Sequence, residues 1–587
     1  MLDKIAIIDF GSQFTHLIAN RVRRLGVYSE IHSTDITADK LKDYKGIIIS
    51  GGPASVNDPK TQINPKIYDL NIPILGVCYG HQVTIHTLGG RVAKGVVGEY
   101  GLTQFTVTKN IGIFKNLQKK SYQVYASHFD TVEKIPEGFE VIGGTKNDPM
   151  SATANEQRKI YTVQFHPEVT HTECGEKILD AFIDITGAKR DWSIEKFISQ
   201  EIESINEKVG DKKVFMLVSG GVDSTVAYAL LAKALGEDRV YAMYVDTGFM
   251  RKDETVHIKK SLASIGIKNL HTEMAGPKFF EALKDIYEPE QKRKIIGDKF
   301  LEIQRDVARE LNLNPSEWLL GQGTIYPDTI ESGGTRNADK IKTHHNRVPE
   351  IEEMIRQGKI IEPIKELYKD EVRMVGARLG LPEEMVNRHP FPGPGLAVRC
   401  LCAEKADGEY EKLPNGHLLP IKSVGVQGDE RTYRHPMVLD MKEPHDWNKL
   451  RAIAPSITNA DSRINRVLVA VAIKDDEIKK VSVVKKYLTQ DRIKTLQEAD
   501  ALVMDAIKEE KDVWQCPTVL VPLSVNVEGE ESIVLRPVSS QEAMTANFTE
   551  LPWDKVTKLA EKLMKIPGIS AVFYDITNKP PATIEWE

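Results

Sequence analysis

Cysteine is scarce in this chain, with five in 587 residues. Cys78, Cys174, Cys400, Cys402 and Cys516 are too few for a disulfide framework and have no paired zinc-ligand spacing. The Cys400/Cys402 pair reads as two small buried residues. A reducing, cytoplasmic setting is expected. Long hydrophobic runs are absent, and nothing approaches the roughly 20 apolar residues that span a bilayer. The opening MLDKIAIIDFGSQ runs straight into strand-like sequence, so no signal peptide is expected. An excess of one charge is also missing. Lys and Arg number 78 against 84 acidic residues, a net charge of −6, which disfavours a strongly basic nucleic-acid face. No GxxxxGK[ST] occurs, so a P-loop nucleotidase is disfavoured.

What is present is ordinary for a globular protein: 41% hydrophobic and 28% charged residues. The length exceeds what one core supports, so several domains are expected. Residues 1–188 alternate strand-like runs (KIAIIDFG, KGIIISGGP, IPILGVCYG, YTVQFHPE) with helical ones such as FTHLIANRVRRLG. This alternation implies a mostly parallel sheet with ligands at the carboxyl ends of its strands. The polar stretch Trp192–Val209 reads as a connecting helix. A second strand–loop–helix series opens at VFMLVSGGVDS and gives a second α/β domain, residues 189–398, closed by the rigid HPFPGPGL. Residues 399–587 are expected to be α+β and internally duplicated, at about 399–510 and 511–587. LPIKSVGVQGDERTYRHPMVL (419–439) resembles VPLSVNVEGEESIVLRPV (521–538), and both read as hairpins.

Two constellations carry chemistry. Cys78, in GVCYGHQ, lies between an apolar strand and a helix, where the helix end favours the thiolate. His166 and Glu168, in QFHPE, follow another strand. In a parallel sheet both motifs end on one edge, so His166 can take the thiol proton and Glu168 can orient the imidazole. The glycines of SGGP (50–53) can approach an oxyanion closely. Taken singly, a Cys or a His is more often structural; three motifs at strand ends of one domain make the nucleophilic reading the better one. Residues 1–188 closely resemble the class I glutamine amidotransferases, which release ammonia from glutamine through a cysteinyl thioester. The resemblance implies Cys78, His166 and Glu168 as catalytic residues and Gly52 and Tyr79 as oxyanion-hole donors. It further implies Gln82, Ser127 and His128 as glutamine-binding positions. His81, His86 and His171 are read as surface or packing residues.

The second constellation is Ser219, Gly220, Gly221, Val222, Asp223 and Ser224. Small residues before a helix expose consecutive backbone N–H groups to phosphate. Asp223 would repel bare phosphate, so a bridging Mg²⁺ held by Asp223 is expected. An isolated Gly-Gly pair is more often an ordinary turn. Here SGGxDS resembles the loop of N-type ATP pyrophosphatases, a match that several activities share.

The order of the domains, together with PEQKRKIIGDKF, GQGTIYPDTIES, IKTHHN, EPIKELYKDEVR, HPFPGPGL and KPPATIEWE, resembles the glutamine-hydrolysing GMP synthetase family in its longer form. That resemblance implies amination of XMP with glutamine-derived ammonia, ATP being cleaved to AMP and pyrophosphate. It implies Arg293, Asp429, Gln515, Lys579 and Glu585 at XMP. It also implies a mobile lid near 327–349 with Lys342, His344 and His345, and Lys369 with Asp370 acting in adenylation. Without it, the lysines read as solvated surface charges. The duplicated C-terminal unit is expected to replace a dimer partner, favouring a monomer, though one copy could keep an old interface and give a homodimer. Three other readings stand beside this one. A glutamine-dependent NAD synthetase should lack HPFPGPGL and KPPATIEWE. A nucleic-acid thiolase would need an acceptor cysteine and a basic face. A non-enzymatic binding protein should have lost Cys78 or SGGVDS. Neither a nucleic acid nor a membrane is expected as a partner.

Overall fold

The computed structural model describes residues 2–587 apart from 13, 54, 57–62, 315, 326–353, 355, 428–429, 440–445, 476 and 541–545. The expected lid with Lys342, His344 and His345, and also Asp429, lie outside the described residues. The chain forms two compact units that part at residue 200. No helix among the described residues is long and apolar enough to cross a membrane.

The first unit is built on a nine-stranded sheet. Tyr28–Ser33, Lys4–Asp9, Gly46–Ile49, Ile74–Val77 and Ile160–Val163 lie side by side, all parallel. Four antiparallel strands continue it: Ala152–Asn155, Glu140–Gly144, Arg91–Val107 and Ser121–Lys134. The apolar runs IAII, III and ILGV explain the parallel half, because strands covered on both faces have no polar side to alternate. Ile5, Ala6, Ile7 and Ile8 are all fully buried. The helix Thr15–Arg24 places Ile18, Ala19 and Val22 on one buried stripe, as its 3.6-residue period requires. Three loops at the carboxyl edge follow from this arrangement, after Asp9, Ile49 and Val77, with a fourth after Val163.

Among the described residues the second unit joins two large sheets, with two two-stranded ribbons beside them. Leu270–Met274, Val240–Asp246, Lys213–Val218, Trp318–Gly321 and Ile360–Ile361 form a five-stranded parallel sheet. The C-terminal region carries an eight-stranded mixed sheet. A single apolar core runs from Phe215, Met243 and Leu320 of the first sheet to Val467, Ile533 and Val572 of the second. Helices Pro289–Glu310 and Gln490–Ala506 contribute Ile303, Val307, Leu496 and Val503 to the same core.

The C-terminal sheet carries an internal two-fold. Strand Glu430–Leu439 runs parallel to Ile464–Ile473, with helix Trp447–Ala460 between them in sequence. Strand Glu531–Leu535 runs parallel to Ile569–Asp575, with helix Trp553–Leu563 between them. The two strand–helix–strand units meet antiparallel, with Leu468 opposite Asp575, Val469 opposite Tyr574 and Ala470 opposite Phe573. The pairing is centred on Val469 and Tyr574, and steps to either side exchange equivalent positions. Trp447 and Trp553, each opening its own helix, stack at 4.5 Å with 8° between ring planes.

Candidate functional site

In the first unit, Cys78 follows strand Ile74–Val77 and caps helix Tyr79–Thr87. Its backbone sits at φ 55°, ψ −108°, a conformation a residue with a Cβ seldom adopts. The turn is tight enough to demand glycine beside it. A Cβ on Gly80 would lie 2.1 Å from the Ile49 carbonyl oxygen, and one on Gly76 would lie 2.5 Å from that of Gly80. The sharp turn lifts the sulfur out of the strand and sets it at a helix N-terminus, where the macrodipole favours negative charge.

His166 leaves strand Ile160–Val163 beside Cys78. Its Nδ1 donates to Glu168 Oε1 at 2.8 Å, and the two side chains are 4% and 0% exposed. Burial alone would lower the imidazole; the Glu168 carboxylate and the Cys78 sulfur beside it carry its pKa well above the ordinary histidine value. Phe14 packs edge-on against the ring at 5.0 Å. Gly51 lies between Cys78 and His166: a Cβ there would meet His166 Cε1 at 3.3 Å and Cys78 Cβ at 3.5 Å. Gly52 is packed on Phe10, whose carbonyl oxygen would lie 2.4 Å from an added Cβ. Tyr79 opens the helix, where first-turn N–H groups point out of the helix end toward the nucleophile.

The expected glutamine positions line the same place. The Cys78 sulfur is 3.7 Å from the Ser127 carbonyl oxygen. Gln82 Nε2 donates to Asp130 O at 3.0 Å and to Gln164 Oε1 at 3.1 Å. His128 is buried, its Nδ1 3.1 Å from Asp130 O and its Nε2 3.3 Å from Glu99 Oε2. Sequence reasoning missed Gln164, whose Nε2 lies 3.8 Å from the Cys78 sulfur, and it missed Glu99. Gln164 was within reach, since it stands two residues before His166 in QFHPE. Glu99 was not, because the pairing of Glu99 with His128 depends on a bulge in strand Arg91–Val107. Of the other histidines, His81 is fully buried on Thr162 at 2.7 Å, and burial lowers it to about 3. His86 and His171 are exposed.

In the second unit, strand Lys213–Val218 ends in the glycine loop, and Gly221 caps helix Val222–Leu235. Gly220 sits at φ 78°. Ser219 and Ser224 close the loop on itself, Oγ to Oγ at 3.0 Å, and the Ser219 N–H donates to Ser224 Oγ at 3.1 Å. Gly323 packs against Ser224, where a Cβ would meet the backbone at 3.0 Å. Asp223 is engaged by Lys369, whose Nζ is 2.7 Å from both carboxylate oxygens. Asp370 follows in the first turn of helix Lys369–Arg378. Among the described residues no group of three His, Cys, Asp or Glu side chains could hold a metal alone.

Of the residues expected at XMP, Gln515, Lys579 and Glu585 lie in the C-terminal region and Arg293 lies on helix Pro289–Glu310. The Gln515 side-chain oxygen is buried without a hydrogen-bond partner among the described residues. Glu585 is held by Arg399, Nε to Oε2 at 3.0 Å and Nη2 to Oε1 at 2.8 Å. Lys579 is lowered by partial burial and by the nearby Arg536. Arg293 pairs with Glu290 at 3.0 Å and also acts on Glu587. The C-terminal tail is fixed from several sides. Arg466 donates to Thr583 O at 3.1 Å and to Glu585 O at 2.9 Å, and Trp586 Nε1 donates to Asp575 at 3.2 Å. Fully buried Lys292 pairs with Glu587 and donates to Cys400 O at 3.0 Å.

Comparison with known proteins agrees with this division of labour. The family description "Glutamine amidotransferase class-I" matches residues 6–185, "NAD synthase" residues 193–302 and "GMP synthase C terminal domain" residues 503–586. A protein named "Probable GMP synthase [glutamine-hydrolyzing]" from Leptospira interrogans is 47% identical, covering 100% of this chain and 99% of that protein. Proteins named "GMP synthase [glutamine-hydrolyzing]" from Lactobacillus gasseri and Aquifex aeolicus are each 39% identical. They cover 100% and 99% of this chain and 98% and 99% of their own lengths.

Proposed function

Because the chain belongs to the glutamine-hydrolysing GMP synthase family, we propose that its two glycine-edged sites divide one amination between them. The chain is a ligase that converts XMP to GMP with glutamine as the nitrogen source, cleaving ATP to AMP and pyrophosphate. The observation that carries the assignment of residues is the presence, on one chain, of a Cys–His–Glu set at one sheet edge and an SGGVDS loop at another.

In the first unit, Cys78 attacks the glutamine carboxamide carbon after His166 takes its proton. Glu168 holds the imidazole and favours the imidazolium so formed. The tetrahedral oxyanion is received by the N–H groups of Gly52 and Tyr79. Collapse of this intermediate expels ammonia, protonated by His166, and leaves a thioester that water cleaves to glutamate. Gln82, Ser127 and His128 hold the substrate's polar ends.

In the second unit, the loop Ser219–Ser224 receives the phosphates of ATP. The purine C2 oxygen of XMP attacks the α-phosphorus and pyrophosphate leaves; ammonia then adds at C2 and AMP departs. Asp223 is the protein ligand for Mg²⁺, which when bound neutralises phosphate charge. Lys369, released from Asp223, turns its ammonium to the departing pyrophosphate, and Asp370, Lys342, His344 and His345 also act in adenylation. Arg293, Asp429, Gln515, Lys579 and Glu585 hold XMP. The unpartnered Gln515 oxygen and the fixed Glu585 carboxylate support this reading, since both offer acceptors to a purine edge. Incubating the chain with glutamine, XMP and Mg·ATP should give AMP and GMP in equal amounts by chromatography. AMP without GMP would sink the assignment.

We also place three domains at 1–188, 189–398 and 399–587. The last is duplicated, and its two halves fold against each other, so the chain is a monomer. Light scattering should give one species near 65.8 kDa. A dilution-resistant species of twice that mass would refute it.

A further inference from the structure

One proline-rich segment touches both ends of the second unit's chemistry. At its start, Arg388 Nη1 donates to the carbonyl oxygen of Gly220, inside the phosphate loop, at 2.7 Å. The other arm of that guanidinium pairs with buried Glu254. Gly220 adopts positive φ, so its peptide is set by what holds its carbonyl rather than by any side chain. Next in sequence, His389 Nδ1 donates to the carbonyl of Trp514 at 2.8 Å, one residue from Gln515.

Phe391 then stands among three guanidinium groups. Arg251, Arg388 and Arg399 lie over its ring at 4.8, 5.8 and 5.4 Å. Arg251 and Arg399 converge on one carboxylate, Asp500, at 3.2 and 3.9 Å. Gly395, at φ 67°, passes so close to Phe249 that a Cβ would lie 2.4 Å from its carbonyl oxygen, and Leu396 N–H donates to that oxygen at 2.7 Å. At the far end, Arg399 grips both oxygens of Glu585. Gly395, Leu396 and Arg399 belong to a buried 3₁₀ turn, so the end of the segment has little room to relax.

We propose that residues 388–399 form a strut through which XMP, bound at Glu585 and Gln515, sets the geometry of the ATP phosphate loop. Arg388 is the positioning residue for Gly220. This rests on the assignment of Glu585 and Gln515 to XMP given above. A purine that draws on the Glu585 carboxylate pulls on Arg399. Through the shared face of Phe391, that pull reaches Arg388 and the carbonyl it holds. Proline at 390, 392 and 394 keeps the intervening backbone stiff, so displacement is passed on rather than absorbed.

The test uses the full chain and α,β-methylene ATP with Mg²⁺, which binds without transferring its adenylyl group. Titration calorimetry reads its affinity with and without saturating XMP. In the unaltered chain XMP should tighten the analogue about fivefold or more, the range of ordinary coupling between sites. Arg388→Lys keeps the charge beside Glu254 and loses the second arm. It should reduce that factor to below about twofold, with XMP affinity in the absence of nucleotide unchanged. Phe391→Leu, which removes the shared ring, should give an intermediate factor. Native coupling retained in Arg388→Lys breaks the strut, and so does an unaltered chain that shows no coupling. A Glu585→Gln chain that binds XMP as tightly as the unaltered one breaks the site assignment beneath it instead.

Discussion

The two reaction sites are prepared to different degrees. The Cys78 site is buried and assembled: Cys78, His166 and Glu168 are 6%, 3% and 1% exposed, and His166 is already hydrogen-bonded to Glu168. The phosphate-loop site is open. Asp223 and Lys369 are 29% and 45% exposed and neutralise one another. The chemistry explains the difference. A sulfur nucleophile needs its proton taken before substrate attack, so its partners must be built in and shielded from water. Adenylyl transfer draws its charge from the nucleotide and its metal, so the protein supplies positions that the substrate completes. The Asp223–Lys369 pair also acts as a placeholder. It spares an acidic group from facing other charges alone and can separate cheaply, because exposed pairs contribute only about 0–1 kcal/mol.

The largest test of this contrast is Cys78→Ala. It should lower glutamine-driven GMP formation by about 10⁵-fold or more, as loss of a nucleophile does elsewhere. Synthesis with an added ammonium salt should stay within about threefold of the unaltered chain, since the open site is intact and no barrier of its own has changed. Joint loss of both activities would mean that the two sites are not separable. Asp223→Asn should act the other way, lowering glutamine- and ammonium-driven synthesis together by on the order of 10³-fold, the several kcal/mol a catalytic metal supplies. Glutaminase activity measured as glutamate release should survive. Near-normal ATP cleavage in that variant would remove Asp223 from the site.

A smaller effect tests how the buried site is prepared. The folded pKa of His166 stands well above 6.5, with Glu168 and Cys78 outweighing burial. A raised histidine stabilises the fold fully below the unfolded pKa, and that contribution is lost as pH rises through the folded value. Glu168→Gln removes the main upward influence and leaves burial unopposed. The His166 ring signals in NMR should then titrate at lower pH than in the unaltered chain. Glutaminase activity should fall about 10²-fold, the usual worth of positioned acid–base help. The pH dependence of the first unit's stability above pH 6.5 should flatten. An unmoved titration would show that Glu168 merely fills space.

Much of this was legible before any coordinates, for physical reasons that differ by region. IPILGVCYG and YTVQFHPE could be placed at one edge because parallel strands read as continuous apolar runs, and their chemical residues fall where the runs stop. SGGVDS announced a glycine turn between a strand and a helix, which the structure has between Lys213–Val218 and Val222–Leu235, because glycine and serine there serve backbone geometry. The Arg399 clamp on Glu585 was hidden: nothing local marks an arginine as the partner of a carboxylate 186 residues away. The Lys369–Asp223 pair was hidden for the same reason, since it joins two helix ends that only the tertiary fold brings together. Of the repeat read at 419–439 and 521–538, the first copy is a hairpin, Ser423–Gln427 on Glu430–Leu439; in the second, Leu523–Val525 pairs instead with Val481–Val483, and Glu531–Leu535 with Thr518–Val521, partners that lie outside the repeat or at its edge. The helices and second strands that complete the two-fold share almost no residues and were seen only through pairing register.

The smallest effect concerns the frame that carries the open site. The residues proposed for XMP, Gln515, Lys579 and Glu585, lie in segments flanking the C-terminal sheet, whose two strand–helix–strand units meet at Val469 and Tyr574. Trp447 and Trp553 stack face to face across this junction, and each also packs on Tyr574, at 5.3 and 6.2 Å. Aromatic pairs of this kind contribute about 0.5–1.5 kcal/mol beyond area burial. Trp447→Leu, Trp553→Leu and the double variant form a cycle whose coupling energy, from denaturant unfolding of the second unit, should fall in that range. A value near zero would mean that the halves are neighbours that fold apart. A value in range, with XMP affinity weakened in both single variants, would show that the open site takes its rigidity from the junction. The buried site needs no such help, since its three residues are held within one sheet edge.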